Sequence, residues 1–523
     1  LRQLEESIAN LDQTQNAAVL ETVEGVQRIR GLAGSGKTIV LALKVAYLHA
    51  THPDWKIAIT FNTRSLKGQL KELITKFSYE HKNQEPDWEK VKIIHGWGSP
   101  KIEGIYYEIC RQHNIEYLDF EAANKLTLSS EEKFDRICEK ALKEIQNFKQ
   151  YYDVILVDEA QDFSKHFLRL CYEILKPPKR LVYAYDELQS LSDKIMESPE
   201  SIFGNDANGK PKVKLQNLPS EPKQDVVLNT CYRNSRPILA SAHALGFGIY
   251  RERGLIQMFD NSQLWLDIGY QVEAGELRDG ESVKLVRTPE TSPKFLESHS
   301  PIEDLIMFKS FKNDREQIEW LVEQIEKNIK EDELRHDDIM VIHSDPTTTK
   351  KAVGEIRELL FTKGINSNLA GVTTSPDEFF SEEAIIFTSI YRAKGNEAAM
   401  VYVINAHQCF SGSIYKRNTL FTAMTRSKAW LRLLGYGPNM KSLEAEFNQV
   451  KQNDFALEFT YPTEEERKEM RVISQEISRD VNNTEISKNK RKFEEAIKLI
   501  DDGKINKNDL SPEIIEKLKE IVQ

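Results

Sequence analysis

Long apolar runs are missing from this 523-residue chain. No window approaches the roughly eighteen uncharged apolar residues of a membrane-spanning helix, so a helical span and a membrane partner are excluded. The opening stretch, LRQLEESIANLDQ, lacks the apolar core of a signal peptide, and because it starts on Leu1 rather than Met, further residues upstream are expected. Cysteine is scarce: the five present (Cys110, Cys138, Cys171, Cys231 and Cys409) show no CxxC spacing. That leaves neither a zinc site nor a disulfide framework, and reads as reduced packing thiols in a cytoplasmic protein. Positive charge is also in short supply: 71 Lys and Arg against 82 Asp and Glu give a net charge of -11. Bulk charge therefore does not advertise a nucleic-acid partner, although a local basic groove on an acidic protein is compatible with one. No metal-histidine cluster and no HNH or PD-(D/E)xK pattern is present. What remains is 40% hydrophobic and 29% charged, the balance of a soluble globular chain long enough for two to four domains.

The stretch that organises the rest is Gly31-Leu32-Ala33-Gly34-Ser35-Gly36-Lys37-Thr38, which satisfies GxxxxGK[ST]. Residues 26–30 read as a strand and residues 39–49 as a helix rich in Leu, Ala and Val. A glycine-rich turn in that setting exposes backbone N–H groups at a helix N-terminus, where a polyphosphate is held. Lys37 adds a charge near the β and γ phosphates, and Thr38 offers a hydroxyl to Mg²⁺.

Strand and helix alternate on either side of this turn. Residues 55–61 form a strand, and Asn62 to Ser65 can cap the helix whose apolar face is Leu66, Leu70, Leu73 and Ile74. A short strand at 91–94 ends in His95-Gly96-Trp97-Gly98, and residues 98–150 are mainly helical. Val154 to Val157 is short and continuously apolar, as a buried parallel strand is. It ends in Asp158-Glu159-Ala160-Gln161-Asp162, and acidic residues at such a strand end lie in the ligand crevice of an open sheet. Residues 180–184 form the next strand, ending in Tyr185-Asp186-Glu187-Leu188-Gln189. Residues 1–220 therefore read as a doubly wound domain. The Pro-, Gly- and Asn-rich stretch 199–224 reads as a linker. A second α/β unit, 221–455, is expected to open with the strand at Val226 to Leu228, with an irregular insertion at 250–305. Residues 456–523 read as a small charged helical tail.

Taken together, these stretches resemble the superfamily 1 helicases of the UvrD/Rep-like group over about residues 11–440. Leu11-Asp12-x-x-Gln15 looks like the adenine-reading glutamine motif, and Gly31 to Thr38 like the first ATP motif. Thr60-Phe61-Asn62-Thr63-Arg64 and Ile94-His95-Gly96 look like strand-contact motifs. Asp158 to Asp162 matches DEXQD. Asp186-Glu187-Leu188-Gln189 resembles the third motif, with Tyr185 in place of its usual Gly. Tyr232-Arg233-Asn234-Ser235 resembles YRS, Lys394-Gly395-Asn396-Glu397 resembles KGLE, and Thr422 to Lys428 resembles VALTRAK.

The resemblance implies two tandem RecA-like P-loop NTPase domains, with a mainly helical insertion in the first. ATP and Mg²⁺ would bind between them. Gly31, Gly34, Ser35, Gly36, Lys37 and Thr38 would cradle the phosphates. Thr38 and Asp158 would hold the metal, and Glu159 would orient and deprotonate the attacking water. Gln189 would sense the γ phosphate. Arg233 and Arg426 would act as arginine fingers from the second domain, their planar forks suiting phosphoryl oxygens. Glu397 would bond ribose or support the fingers, and Gln15 would read adenine. Single-stranded nucleic acid would cross the top of both domains at Thr60, Phe61, Arg64, His95 and Trp97, an aromatic stacking a base while arginine meets phosphate. By the resemblance the strand is DNA and movement is 3′ to 5′.

Two departures stand out. Ile390-Tyr391-Arg392-Ala393 replaces the His and hydroxyl residues that usually precede KGLE, and Asn396 replaces its Leu. Only about 45 residues separate the strand near Val341 from the KGLE strand, so the large 2B domain is absent. An ATP-driven translocase is one reading. The other is an ATP-gated switch or scaffold working through a protein partner or an upstream nuclease, in phage defence or repair, with little unwinding of its own.

Overall fold

The apolar runs between polar strand ends become the strands of two parallel sheets. The computed structural model describes residues 11–125, 132–189, 196–259, 261–375 and 379–470. The first sheet holds Val26–Gly31 (β1), Ile57–Phe61 (β2), Val91–His95 (β3), Tyr152–Val157 (β4), Leu175–Tyr185 (β5) and Asp225–Leu228 (β6), in the order β3-β2-β4-β5-β1-β6. Every neighbouring pair in it is parallel. Three helices matter for the site: Gln13–Leu20 (α1), Lys37–Thr51 (α2) and Leu66–Lys82 (α3).

Both faces of this sheet are covered, which is why the Val154 to Val157 run of β4 is apolar without alternation. Val40, Leu41, Val45, Leu66, Leu70 and Ile74 of α2 and α3 pack one face. The other face carries the helical insertion, through Ile105, Tyr106, Ile109, Ile137, Cys138 and Ala141.

One expectation is corrected here. The strand around Val226 does not open the second unit. It pairs in parallel with β1, Ile29 opposite Val226, and forms the edge of the first sheet. Arg28 and Arg30 hold it there through Asp225, at 2.6 Å and 3.0 Å. The chain then crosses over through Cys231 to Ser235 into the helix Arg236–Phe247.

The stretch expected to be irregular contains an antiparallel hairpin, Tyr270–Gly275 (β7) and Ser282–Arg287 (β8). The second parallel sheet is built from Ile306–Phe311 (β9), Ile339–His343 (β10), Ser367–Leu369 (β11), Ile385–Ser389 (β12), Ala398–Ile404 (β13) and Ser427–Tyr436 (β14), ordered β11-β12-β10-β13-β14-β9. Lys428 lies in β14, beyond the helix Ile414–Met424. Leu457–Thr460 (β15) returns to pair with β8, so residues expected to begin the tail complete the small sheet instead. The expected tail helices beyond residue 470 lie outside the described residues.

Candidate active site

The site forms where strand ends of the first sheet meet loops of the second. After β1 the chain turns through Gly34 (φ +74°) and Gly36 (φ +82°), in the left-handed region that favours glycine. Space demands glycine there as well. A Cβ on Gly34 would sit 2.7 Å from Arg233 Cβ, and one on Gly36 would sit 2.6 Å from Gln15 Nε2. Gln15 itself donates to Ser35 O at 2.7 Å. Lys37, buried beneath the loop, donates to Gly31 O and Leu32 O, each at 2.8 Å. Burial lowers the Lys37 pKa, although Asp186, Glu159 and Asp158 pull the other way.

At the end of β4, Asp158 and Glu159 take separate positions. Asp158 is fully buried and accepts from Thr38 Oγ1 at 2.8 Å. Glu159 has φ +50°, a conformation a non-glycine residue keeps only where its surroundings impose it. Gln161 donates to its carboxylate and accepts from Asp186 N at 3.2 Å. The two acids are driven apart in acidity. Burial and the neighbouring Glu159 charge raise Asp158. For Glu159 burial is outweighed by Lys394, Lys37 and Arg426, and its pKa falls.

Groups from the second sheet close the site. Arg426 donates to Gln189 Oε1, and Lys394 donates to Asp162 and, at 2.7 Å, to Gln189 O. Gln189 is fixed in turn on Asp186 at 2.6 Å. Burial lowers Arg426 to about 10, so it stays protonated at neutral pH. Arg233, on the crossover after β6, pairs with Glu397, and Lys428 stands 3.7 Å from the same carboxylate. Burial opposes ionisation of Glu397, but Arg233 and Lys428 overcome it and hold the pKa at about 2.

The cleft is lined by Gly34, Gly36, Lys37, Thr38, Gln69, Glu159 and Gln189 on one side and Arg233, Gly395, Glu397 and Arg426 on the other. Ser35 Oγ, Gln69 Oε1 and Arg233 Nε are buried without a protein partner. The open donors among them, Ser35 Oγ and Arg233 Nε, beside a helix N-terminus and a lysine, fit a polar, anionic ligand. Thr38 and Asp158 supply the hard oxygen donors that Mg²⁺ prefers.

Gln161, Asp162 and Lys394 lay inside motifs read from the sequence, but their linkage is visible only here. Gln69 and Cys231 carried no motif signal; Cys231 Sγ donates to Ala33 O at 3.3 Å, beneath the phosphate loop.

The expected nucleic-acid contacts divide. Thr60 and Phe61 are corrected: both are buried in β2, which is flanked by β3 and β4 and covered on both faces, so neither side chain meets a strand. Trp97 is half-buried. It stacks on Phe134 with ring centroids 5.0 Å apart and donates to Leu118 O at 3.0 Å, packing the helical insertion. His95 is half-buried with Nε2 2.5 Å from Asn62 O, and Arg64, two residues along the same loop, is half-buried as well. Directly after Arg64, Ser65 Oγ accepts from Asn396 Nδ2 at 2.9 Å, joining the two sheets. Tyr391, 39% exposed, meets Tyr415 hydroxyl to hydroxyl at 3.1 Å.

Among the described residues no helix is long and apolar enough to cross a membrane, and no cluster of His, Cys, Asp and Glu could hold a metal by itself. The five cysteines are buried thiols.

Two family models match the chain: the UvrD-like helicase C-terminal domain over residues 384–434, and the type III restriction enzyme res subunit over residues 6–182. Among solved structures, the chain is similar to Saccharomyces cerevisiae Dbp5, both as a single-substitution variant and unmodified, each bound to RNA and ADP BeF3. The identity is 10% in both, with 91% of this chain and 97% of that one covered, at TM-scores of 0.43 and 0.42. It is also similar to the C-terminal domain of a possible DNA helicase from Lactobacillus plantarum WCFS1, at 18% identity over 29% of this chain and 86% of that one, TM-score 0.21. Comparison with curated proteins finds no match. The fold is that of tandem RecA-like domains. The chain is a helicase-like protein and a P-loop ATPase.

Proposed function

We propose that the chain is an ATP-driven motor on single-stranded nucleic acid, with DNA as the strand and 3′-to-5′ movement. The observation that carries this reading is the crossing of the cleft by Arg426 and Lys394, which reach from the second sheet to Gln189 and Asp162 of the first. Groups that touch the γ-phosphate end of the site from both sides turn hydrolysis into a change in how the halves meet.

In this reading the start of α2 and Lys37 hold the β and γ phosphates. Thr38 and Asp158 would hold Mg²⁺, whose charge offsets that of the phosphates. Glu159 takes the proton of the attacking water, its carboxylate aimed by Gln161. Arg233 and Arg426 stabilise the transferring phosphoryl group, and Glu397 holds Arg233 in place. Gln15 reads the base. Arg64, His95 and the Tyr391–Tyr415 pair are the groups we assign to the strand. Arg64 directly precedes Ser65, and Tyr391 lies on the segment that leads to Asn396, the two residues joined at this junction.

A second reading is favoured by the region between β10 and β12. Its described residues form two short helices, Thr349–Ala352 and Gly354–Thr362, and the strand β11, with no added helical domain. A compact motor of this kind would serve as an ATP-gated switch for a protein partner. Steady-state ATP hydrolysis with single-stranded DNA, single-stranded RNA or neither separates the two. Strong stimulation by one strand, lost in Glu159→Gln, supports the motor; ATP binding with no stimulation by either overturns it in favour of the switch.

A further inference from the structure

Lys44 lies two turns along α2 from Lys37 and is 1% exposed. Its ammonium donates to the carbonyls of Ala18 at 2.8 Å, Glu21 at 2.7 Å and Val19 at 3.5 Å, the closing carbonyls of α1. A cation at a helix C-terminus is favoured by the helix dipole and by the unpaired carbonyls there.

The other end of α1 rests on the nucleotide site. Asp12 caps it, accepting from Gln15 N at 2.7 Å, while Gln15 Oε1 accepts from Asp12 N at 3.0 Å. Gln15 Nε2 reaches the phosphate loop at Ser35 O, and Tyr232 donates its hydroxyl to Asp12. The helix is thus a strut of about 12 Å. One end is pinned by Lys44 on the body of α2, the other by the loop that opens α2.

Burying an ammonium without a carboxylate partner is costly, and a hydrocarbon side chain of that length would fill the same space. We propose that Lys44 is a positioning residue for the nucleotide base: by holding the C-terminal carbonyls of α1 it sets where Gln15 sits above the phosphate loop. This rests on the reading of Gln15 as the base contact. The hold depends on pH. Burial lowers the Lys44 pKa to about 7, Glu21 being the charged group that raises it. As pH rises through neutrality the charge is lost and the strut slackens.

The test compares binding of ATP with binding of inorganic tripolyphosphate, which has the phosphates and lacks the base. Calorimetric titrations of the full chain with Mg²⁺ from about pH 6 to about pH 8.5 would span the transition. The ratio of the two dissociation constants isolates the nucleoside contribution, and the same ratio in Lys44→Arg serves as the reference that removes titration of the phosphates. In the wild type the preference for ATP should fall about tenfold across this range, the worth of a charge-assisted hold. Lys44→Arg should flatten the profile, and Lys44→Met should show the weak preference at every pH. In Lys44→Met, hydrogen exchange should rise at residues 13–21 and stay unchanged elsewhere; if that variant does not fold, the wild-type and Lys44→Arg profiles still decide. Gln15→Ala separates the two readings. If it keeps the preference for ATP, Gln15 is not the base contact. If it loses the preference while the wild-type profile is flat and Lys44→Met keeps the wild-type preference, Lys44 has no positioning role.

Discussion

At the scale of single residues the site is a set of buried charges that neutralise one another across short distances. Glu159 is the group whose removal should stop chemistry while sparing binding. Glu159→Gln should lower the ATP hydrolysis rate by about 10²-fold or more, with the ATP dissociation constant within a few-fold of wild type, as measured by single-turnover kinetics and calorimetry. Glu397 gives a pH signature. Its folded pKa of about 2 lies below the ordinary 4.5. The unfolded chain therefore binds this proton first, and the stabilisation is complete above pH 4.5 and disappears as pH falls towards 2. Urea midpoints measured through that window should fall less steeply in Glu397→Gln than in wild type.

At the scale of elements, the loops that end β2 and β12 meet through a polar contact. Asn396 stands where the resembled motif has leucine, and it donates to Ser65 Oγ and to Arg392 O, the latter at 3.1 Å. Asn396→Leu restores the family residue but leaves buried Ser65 without its donor. We expect a loss of about 1 kcal/mol in unfolding free energy. If strand binding passes through this junction, nucleic-acid stimulation of ATPase should change too, an outcome that parallel ATPase titrations would show.

The whole molecule adds a constraint far from the cleft. Arg417 and Glu446 form a fully buried two-pronged pair at 2.8 and 2.9 Å. Arg417 also donates to Leu245 O at 3.0 Å, tying three helices over one face of the second sheet. Arg417→Met strands a buried carboxylate and should cost about 3–5 kcal/mol, whereas Arg417→Met with Glu446→Leu should recover most of the loss. Denaturant unfolding of the single and double variants checks this.

The sequence by itself determined the catalytic half of this protein. The phosphate loop, DEXQD and the strand ends that bear them are local: glycines set backbone angles, and a buried parallel strand such as Val154 to Val157 is apolar on both faces and stops at its acids. Tertiary structure decided the rest. The edge strand at Val226 carries the same apolar signal whichever sheet accepts it, so only long-range pairing with β1 assigns it. Thr60 and Phe61 stand in motif positions, yet their burial depends on helices supplied from elsewhere in the chain. Lys44 looks like a surface lysine in an amphipathic helix until α1 lays its carbonyls across it. Side-chain chemistry is written locally, whereas burial and partners come from contacts between residues far apart in the chain, and those contacts decide which of the polar residues do work.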